Sequence, residues 1–384
     1  MLPEGFMLPD YTRNIACLAP TISWLLGSKA LEDRPVLEEL DYDVDKIVLF
    51  LLDAAGELIE PLPFMRRWIS LTSTFPSTTA TALTTLSTGL HPGEHGCLGF
   101  SIYLKELGVI GNMIKLHPAY VGGSDGLINM GLKPESFGKT LFELMDGKSV
   151  YFADRKIQGN GLSRLTLRGC EGRSCISLTD LLISLRREAE GGDAKLIYAY
   201  WGSLDAIGHM RGPDSENFKE EFRQAAKLFQ EVFIDRIRSP RKTLVLFLGD
   251  HGMCDVRNRI LTNERRDILN SLRMPPTGDL RASYLYTEEV DRVKSMMNEL
   301  GMYVLEREEA IKSGLFGQFN EQHEDRIGDL VAVPPDGLGM WHDFRRDEGR
   351  EYPVGGHGGL HRREITIRLY YGTVDEMREG VHST

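Results

Sequence analysis

An α/β fold is what this 384-residue sequence predicts: a central, mostly parallel sheet covered by helices on both faces, plus a smaller inserted α+β domain. Three observations carry that reading. Continuous apolar runs without alternation recur along the chain, as strands buried on both faces require. Amphipathic stretches of helical period lie between them. A late segment bounded by Pro and Gly breaks this rhythm.

The first apolar run is Ile47 to Leu52 in "KIVLFLLDAAGE", a central strand ending at Asp53. Leu196 to Tyr200 in "KLIYAYWGSLD" and Leu244 to Leu248 in "KTLVLFLGDHGM" repeat the pattern. "SVYFAD", ending at Asp154, and "EITIRLYYG" are further strands. "KTLFELMDG" and "NFKEEFRQAAKLFQEVFIDRIRS" are helical, the second placing Phe222, Ala225, Leu228, Phe229 and Phe233 near one face. "RASYLYTEEVDRVKSMMNELGMYVLEREEAIKSGLF" reads as strand, helix, short strand, helix. The expected division is a core of residues 1–254 and 346–384, with 255–345 inserted between late core strands. The insert would cover the substrate or form an interface, so a homo-oligomer stays open.

Apolar residues make up 41% of the chain and the formal net charge is -11, a globular and acidic composition. That charge argues against a stable nucleic-acid complex or an anionic membrane partner. The longest apolar run, "IVLFLL", is too short to span a bilayer. The N-terminus shows no signal-peptide pattern. Five irregularly spaced cysteines imply free thiols rather than a disulfide framework, although Cys170 and Cys175 enclose only "EGRS". The expected location is the cytoplasm.

Metal-competent side chains fall at strand ends and glycine turns: Asp53, Asp205, His209, Asp250, His251 and His357. In an α/β sheet the loops beyond the strand C-termini converge on one site. Three Asp and three His suit two borderline divalent ions, Zn first and Mn or Fe next. "TFPSTTATALTTLSTGLHPGEHG" adds a nucleophile, with nine hydroxyl side chains between Thr74 and Thr88. Ser77 or Thr78 would cap a helix that ends at Gly89. A hydroxyl in its first turn would face free N–H groups fit for a phosphate oxygen.

The ordered set "LLDAAG", "PSTTATALTTLSTGLHPGEHG", "LDAIGHMRGP", "GDHGM" and "GGHGG" resembles the alkaline phosphatase superfamily, and within it the type I phosphodiesterase/nucleotide pyrophosphatase family. The likeness covers about residues 45–254 and 355–372. It implies an alkaline-phosphatase-like core and two-metal hydrolysis of phosphodiester or pyrophosphate bonds in a small phosphate-ester or nucleotide-like substrate. It puts the nucleophile at Thr79, nine residues before Thr88 of the "TG" pair, with Thr78 as runner-up, and implies a phosphothreonine intermediate. Asp205, His209 and His357 would bind one zinc; Asp53, Asp250, His251 and the Thr79 oxygen would bind the second.

Two departures from the family pattern bear on the site. The Asn usual after "HG" is absent, since Cys97, Leu98, Gly99 and Phe100 follow; the next is Asn112. Gly249 precedes Asp250 where the family carries Ser, and Ala54 follows Asp53 where it carries Gly, which implies a turn without a left-handed residue. Asn112, Phe100 and Tyr103 are the expected substrate contacts, with Trp201, Lys105, Arg345, Arg346, His342 and His361 as further rim residues. The competing functions are a phosphomonoesterase, a phosphonate or sulfate-ester hydrolase, and a noncatalytic metal-stabilised binding protein.

Overall fold

The computed structural model describes residues 2–57, 62, 64–238, 242–345 and 351–381. Arg346 lies outside them. A seven-stranded sheet runs in the order Trp68–Thr72, Thr366–Thr373, Thr243–Leu248, Lys46–Leu52, Leu196–Trp201, Ser149–Asp154, Glu171–Cys175. The last five strands pair in parallel; Thr366–Thr373 is antiparallel to both its neighbours.

The unbroken run at Lys46–Leu52 is explained by its place in the middle of the sheet. All seven residues are buried, and successive side chains feed two different cores. Val48, Phe50 and Leu52 pack with Leu181, Leu185, Phe222 and Phe229 from the helices and helical turn on one face. Ile47, Leu49 and Leu51 pack with Ile22, Ala82 and Leu86 on the other. Each such side chain contributes about 1.5–3 kcal/mol by leaving water. The long amphipathic helix forms as Glu216–Leu228 and continues as a π-helical turn, Phe229–Ile234. "KTLFELMDG" yields only the short helix Leu141–Leu144.

A second, antiparallel sheet has the order Tyr303–Glu306, Leu330–Val333, Ala282–Leu285, Thr277–Asp279, Ser101–Leu104, Val109–Asn112, His117–Pro118. The segment expected as an insert supplies four of these strands, and its strand–helix–strand–helix order appears as Ala282–Leu285, Val290–Glu299, Tyr303–Glu306 and Arg307–Lys312. The other three strands come from 101–118, far upstream of the expected boundary. The second sheet is therefore completed by core residues just after the threonine-rich helix. The five cysteines are free thiols. No helix among the described residues is long and apolar enough to cross a membrane.

Candidate active site

The hydroxyl-rich segment folds as the helix Thr79–Thr88, with Thr78 as N-cap and Gly89 ending it in the left-handed region. Only the first turn faces chemistry. Thr84 and Thr88 turn back to helix carbonyls at 2.7 Å, and Thr85 meets His95 at 2.8 Å. Thr79, the first helical residue, points its Oγ1 at Asp53 and His251. It lies 3.4 Å from each Asp53 carboxylate oxygen and 3.1 Å from His251 Nε2. Thr78, the N-cap, has extended backbone and makes no capping bond with its side chain.

Asp53 leaves the end of the central strand, and Asp250 and His251 leave the end of its neighbour. Parallel pairing of these strands brings their C-terminal ends together. His251 Nε2 is 3.4 Å from Asp53 Oδ1 and 3.6 Å from Asp250 Oδ2. Its Nδ1 donates to the Gly252 carbonyl at 2.9 Å, leaving Nε2 free to face the cluster. Tyr200, from the adjacent strand, donates its hydroxyl to Asp53 Oδ2.

The second set is built on the helix Ser203–Arg211. Its i,i+4 spacing puts Asp205 and His209 on one face, 3.4 Å apart. His209 Nδ1 donates to the Gly355 carbonyl at 2.9 Å. His357 Nε2 sits 3.1 Å from His209 Nε2 and 3.5 Å from Asp205 Oδ1. Its ring stacks on His251 with centroids 3.9 Å apart, so the two sets are contiguous. The glycine loop holding His357 is tied to the nucleophile segment: Ser77 Oγ donates to the Gly359 carbonyl at 2.9 Å and accepts from Gly358 N at 3.2 Å.

Burial pushes the Asp53 carboxyl well above its ordinary range, and the neighbouring Asp250 and Asp205 add to the shift. Burial likewise raises Asp250 to about 7. His357 is held well below the ordinary range by burial and by the two adjacent imidazoles. For His209 burial opposes the charge, but the Asp205 carboxylate and the bond to Gly355 carry it upward. Asp205 Oδ1 and Asp250 Oδ2 are buried with no hydrogen-bond partner. Orphaned carboxylate oxygens packed among imidazoles form a donor set suited to divalent cations, which would neutralise the repulsion. Two overlapping groups, Asp53–Asp250–His251 and Asp205–His251–His357, bring one potential ligand atom per residue within 4.8 Å of one another.

Two backbone details correct or explain the sequence reading. Ala54 does adopt a left-handed conformation, φ 62°, contrary to the inference from its Cβ. Its N–H is thereby aimed at Asp250 Oδ1, 3.2 Å away. At Gly249 a Cβ would lie 2.4 Å from the Ala55 carbonyl oxygen, so this backbone leaves room only for glycine.

Thr79 also lines a cavity of about 440 Å³ walled by Leu83, Tyr151, Tyr198, Tyr200 and Leu162, with Lys115 and Lys156. The expected substrate contacts are not in that wall. Phe100 and Asn112 line a neighbouring cavity of about 260 Å³, together with Trp341, His342 and Arg345. The two cavities share Ile114 and Lys115. Tyr103 lines neither and packs edge-on to Tyr286, with centroids 6.0 Å apart. Trp201 packs against the core beneath the sheet, and Lys105 pairs with Asp325 at 2.8 Å. Sequence reasoning missed Tyr200 and Asp279. Tyr200 sits in a quoted strand, and its place at that strand's C-terminal end was a usable signal. Asp279, half-buried at the end of the strand Thr277–Asp279, has a carboxyl raised by desolvation to about 6, and no motif marks it.

A buried carboxylate–imidazole cluster facing a helix-terminal hydroxyl is the equipment of a phosphoester hydrolase. Residues 50–130 and 154–360 match the family described as Type I phosphodiesterase / nucleotide pyrophosphatase, and the chain belongs to that family. No curated protein matches the sequence. Among solved structures, murine ectonucleotide pyrophosphatase / phosphodiesterase 5 is similar at 17% identity and TM-score 0.60, over 84% of this chain and 87% of its own. An inactive form of that protein in complex with AMP has 16% identity and TM-score 0.60, over 85% and 87%. Phosphonoacetate hydrolase from Sinorhizobium meliloti, in complex with phosphonoformate, has 15% identity and TM-score 0.58, over 88% and 96%. These likenesses establish the alkaline-phosphatase-like fold.

Proposed function

We propose that this protein hydrolyses phosphodiester or pyrophosphate bonds with Thr79 as nucleophile. The observation that carries the proposal is the position of Thr79 Oγ1, between the Asp53–His251 cluster and the 440 Å³ cavity. Asp205, His209 and His357 would hold one divalent ion, and Asp53, Asp250 and His251 the other, zinc being the best match to these donors. Such ions supply Lewis-acid stabilisation of phosphoryl oxygens and lower the pKa of a bound hydroxyl or water.

Thr79 Oγ1 forms a bond to phosphorus as the bond to the leaving oxygen breaks, giving a phosphothreonine diester that water then cleaves. First-turn N–H groups of the helix Thr79–Thr88 orient the phosphoryl oxygens. Tyr200 holds the Asp53 carboxylate toward Thr79. The tyrosine- and leucine-walled cavity receives the organic group. AMP bound to the murine relative supports a nucleotide-like group here.

A second reading is favoured by Lys115 and Lys156, whose presence in the cavity wall suits an organic group with its own negative charge, as in a phosphonocarboxylate. Matched chromogenic phosphate diesters and monoesters and a phosphonocarboxylate, with Zn²⁺, Mn²⁺ and Mg²⁺ compared, test the proposal. Faster diester turnover supports it. Faster monoester turnover, or turnover confined to phosphonates, replaces it with the corresponding alternative.

A further inference from the structure

Behind the catalytic cluster, three side chains from distant parts of the chain meet: Cys254, Asp336 and His361. Each offers one ligand-type atom, and these atoms lie within 4.8 Å of one another. The Cys254 thiol, fully buried, is 3.3 Å from His361 Nδ1. His361 Nδ1 also accepts from Arg363 N at 3.3 Å, a long capping bond that an ion would displace, and the ring's other edge is packed. Gly5 packs so closely there that a Cβ on it would sit 2.7 Å from His361 Nε2. Arg362 N bonds the Gly5 carbonyl at 2.8 Å, which secures this N-terminal cover. Asp336, in the "PPDG" turn, is exposed and closes the group from the solvent side.

We propose that Cys254, Asp336 and His361 form a separate binding site for a borderline-soft divalent ion, zinc being the best match, with water in the fourth position. Tetrahedral zinc with a sulfur ligand at about 2.3 Å and a nitrogen at about 2.0–2.1 Å separates the two donors by roughly 3.5 Å, near the spacing found. Burial, with the Glu364 and Asp336 carboxylates adding to it, holds the Cys254 thiol well above its ordinary range, so without an ion it stays a neutral, unreactive S–H. Arg281 and Arg363 lie near enough to favour the thiolate, and Asp336 completes the neutralisation of a dication.

The position gives the ion a purpose. Cys254 follows Asp250–His251 and pairs with Gly356, next to His357. His361 starts the turn that holds the glycine loop. An ion here would staple together the two loops that carry catalytic ligands. It would be structural rather than catalytic, since no member of the trio lines the cavity at Thr79.

The test is cobalt substitution of the full-length protein, with metal stoichiometry measured in parallel. The catalytic cluster has only oxygen and nitrogen donors, so a near-ultraviolet sulfur-to-cobalt charge-transfer band does not come from it, and its loss in Cys254→Ser separates this site from the four other free thiols. The expected result is such a band in the wild type, one equivalent of metal beyond the catalytic complement, and loss of both in Cys254→Ser. Asp336→Asn, at an exposed position, should fold normally and lose the same equivalent first under chelator. Wild-type protein that takes up cobalt without the band, or identical stoichiometry in all three proteins, would overturn the proposal. Because the band does not depend on the catalytic ions, failure here is distinguishable from failure of the hydrolytic reading.

Discussion

Arg281→Met tests how the second sheet holds the catalytic loops in place. Arg281 sits in the hairpin turn after Asp279, and Glu364 lies seven residues beyond His357. Both side chains are fully buried and their pairing is bidentate, at 2.8 and 2.9 Å. Arg281 also donates to the Pro335 and Leu338 carbonyls at 2.7 and 2.6 Å. Glu364 accepts from Gly359 N at 3.1 Å and His361 N at 3.2 Å, so it holds the loop that presents His357. Removing the guanidinium leaves a buried carboxylate with only two backbone donors, and takes a donor from each of the Pro335 and Leu338 carbonyls, the first of which keeps the Leu338 N–H at 3.3 Å. Breaking a buried pair this way costs about 3–5 kcal/mol. With an unfolding entropy of about 2.1 cal/mol/K per residue, that lowers the melting midpoint of a chain this long by roughly 4–6 °C. Differential scanning calorimetry on metal-defined protein measures it. The double variant with Glu364→Gln should lose less than the sum of the single losses, because the orphaned charge is gone. A single-variant loss below about 1 kcal/mol, in the range of an exposed ion pair, would show that the Arg281–Glu364 pair does not hold the loop.

Three further outcomes follow from the site geometry. Gly249→Ala forces a methyl against the Ala55 backbone at 2.4 Å, and should destabilise the protein by about 1–3 kcal/mol and reduce metal retention; urea unfolding with metal analysis reads both. Tyr200→Phe removes the hydroxyl that holds Asp53 and should weaken divalent-ion affinity about 10–100-fold, measured by competition with a chelating dye. In metal-free protein, Asp250 has its folded pKa raised from 3.8 to about 7. Its contribution is therefore fully present below the unfolded value and is lost as pH rises through the folded one. Metal-free wild type should lose stability relative to metal-free Asp250→Asn between about pH 4 and 7, and a constant difference across denaturation curves in that window would contradict the assignment.

Much of the core could be read from the sequence because its signals are local. A central parallel strand must be apolar on both faces, and Lys46–Leu52, Leu196–Trp201 and Thr243–Leu248 announce themselves by unbroken runs. Of the six proposed ligands, Asp53, Asp250 and His251 follow strand ends, Asp205 and His209 share a helix face and His357 sits in a glycine loop; Thr79 Oγ1 meets Asp53 and His251, and the other set adjoins through the His251–His357 stack. The second sheet was harder. Nothing local in Ser101–Leu104 shows that it pairs with Gly278, about 180 residues later. The same non-local pairing delivers Asp279 to the site. Ala54 misled because the steric rule for left-handed backbone is a preference. A cost of roughly 1–2 kcal/mol is tolerated where the resulting N–H direction serves Asp250. The cavity wall at Thr79 was not legible because Tyr151, Tyr198 and Lys156 come from core strands and the turn after one of them, whereas Asn112 was singled out as the next Asn after the "HG" segment and Phe100 as an aromatic able to stack on a base; those two line the neighbouring cavity.

The most direct test of the account is to quench the enzyme during turnover of a phosphodiester and locate the covalent adduct by peptide mass spectrometry. The expected result is an adduct on Thr79 carrying the phosphoryl group with its retained organic substituent. Thr79→Ala should abolish adduct and turnover while keeping the wild-type metal content. An adduct on Thr78, or full turnover by Thr79→Ala with its metals in place, would contradict it.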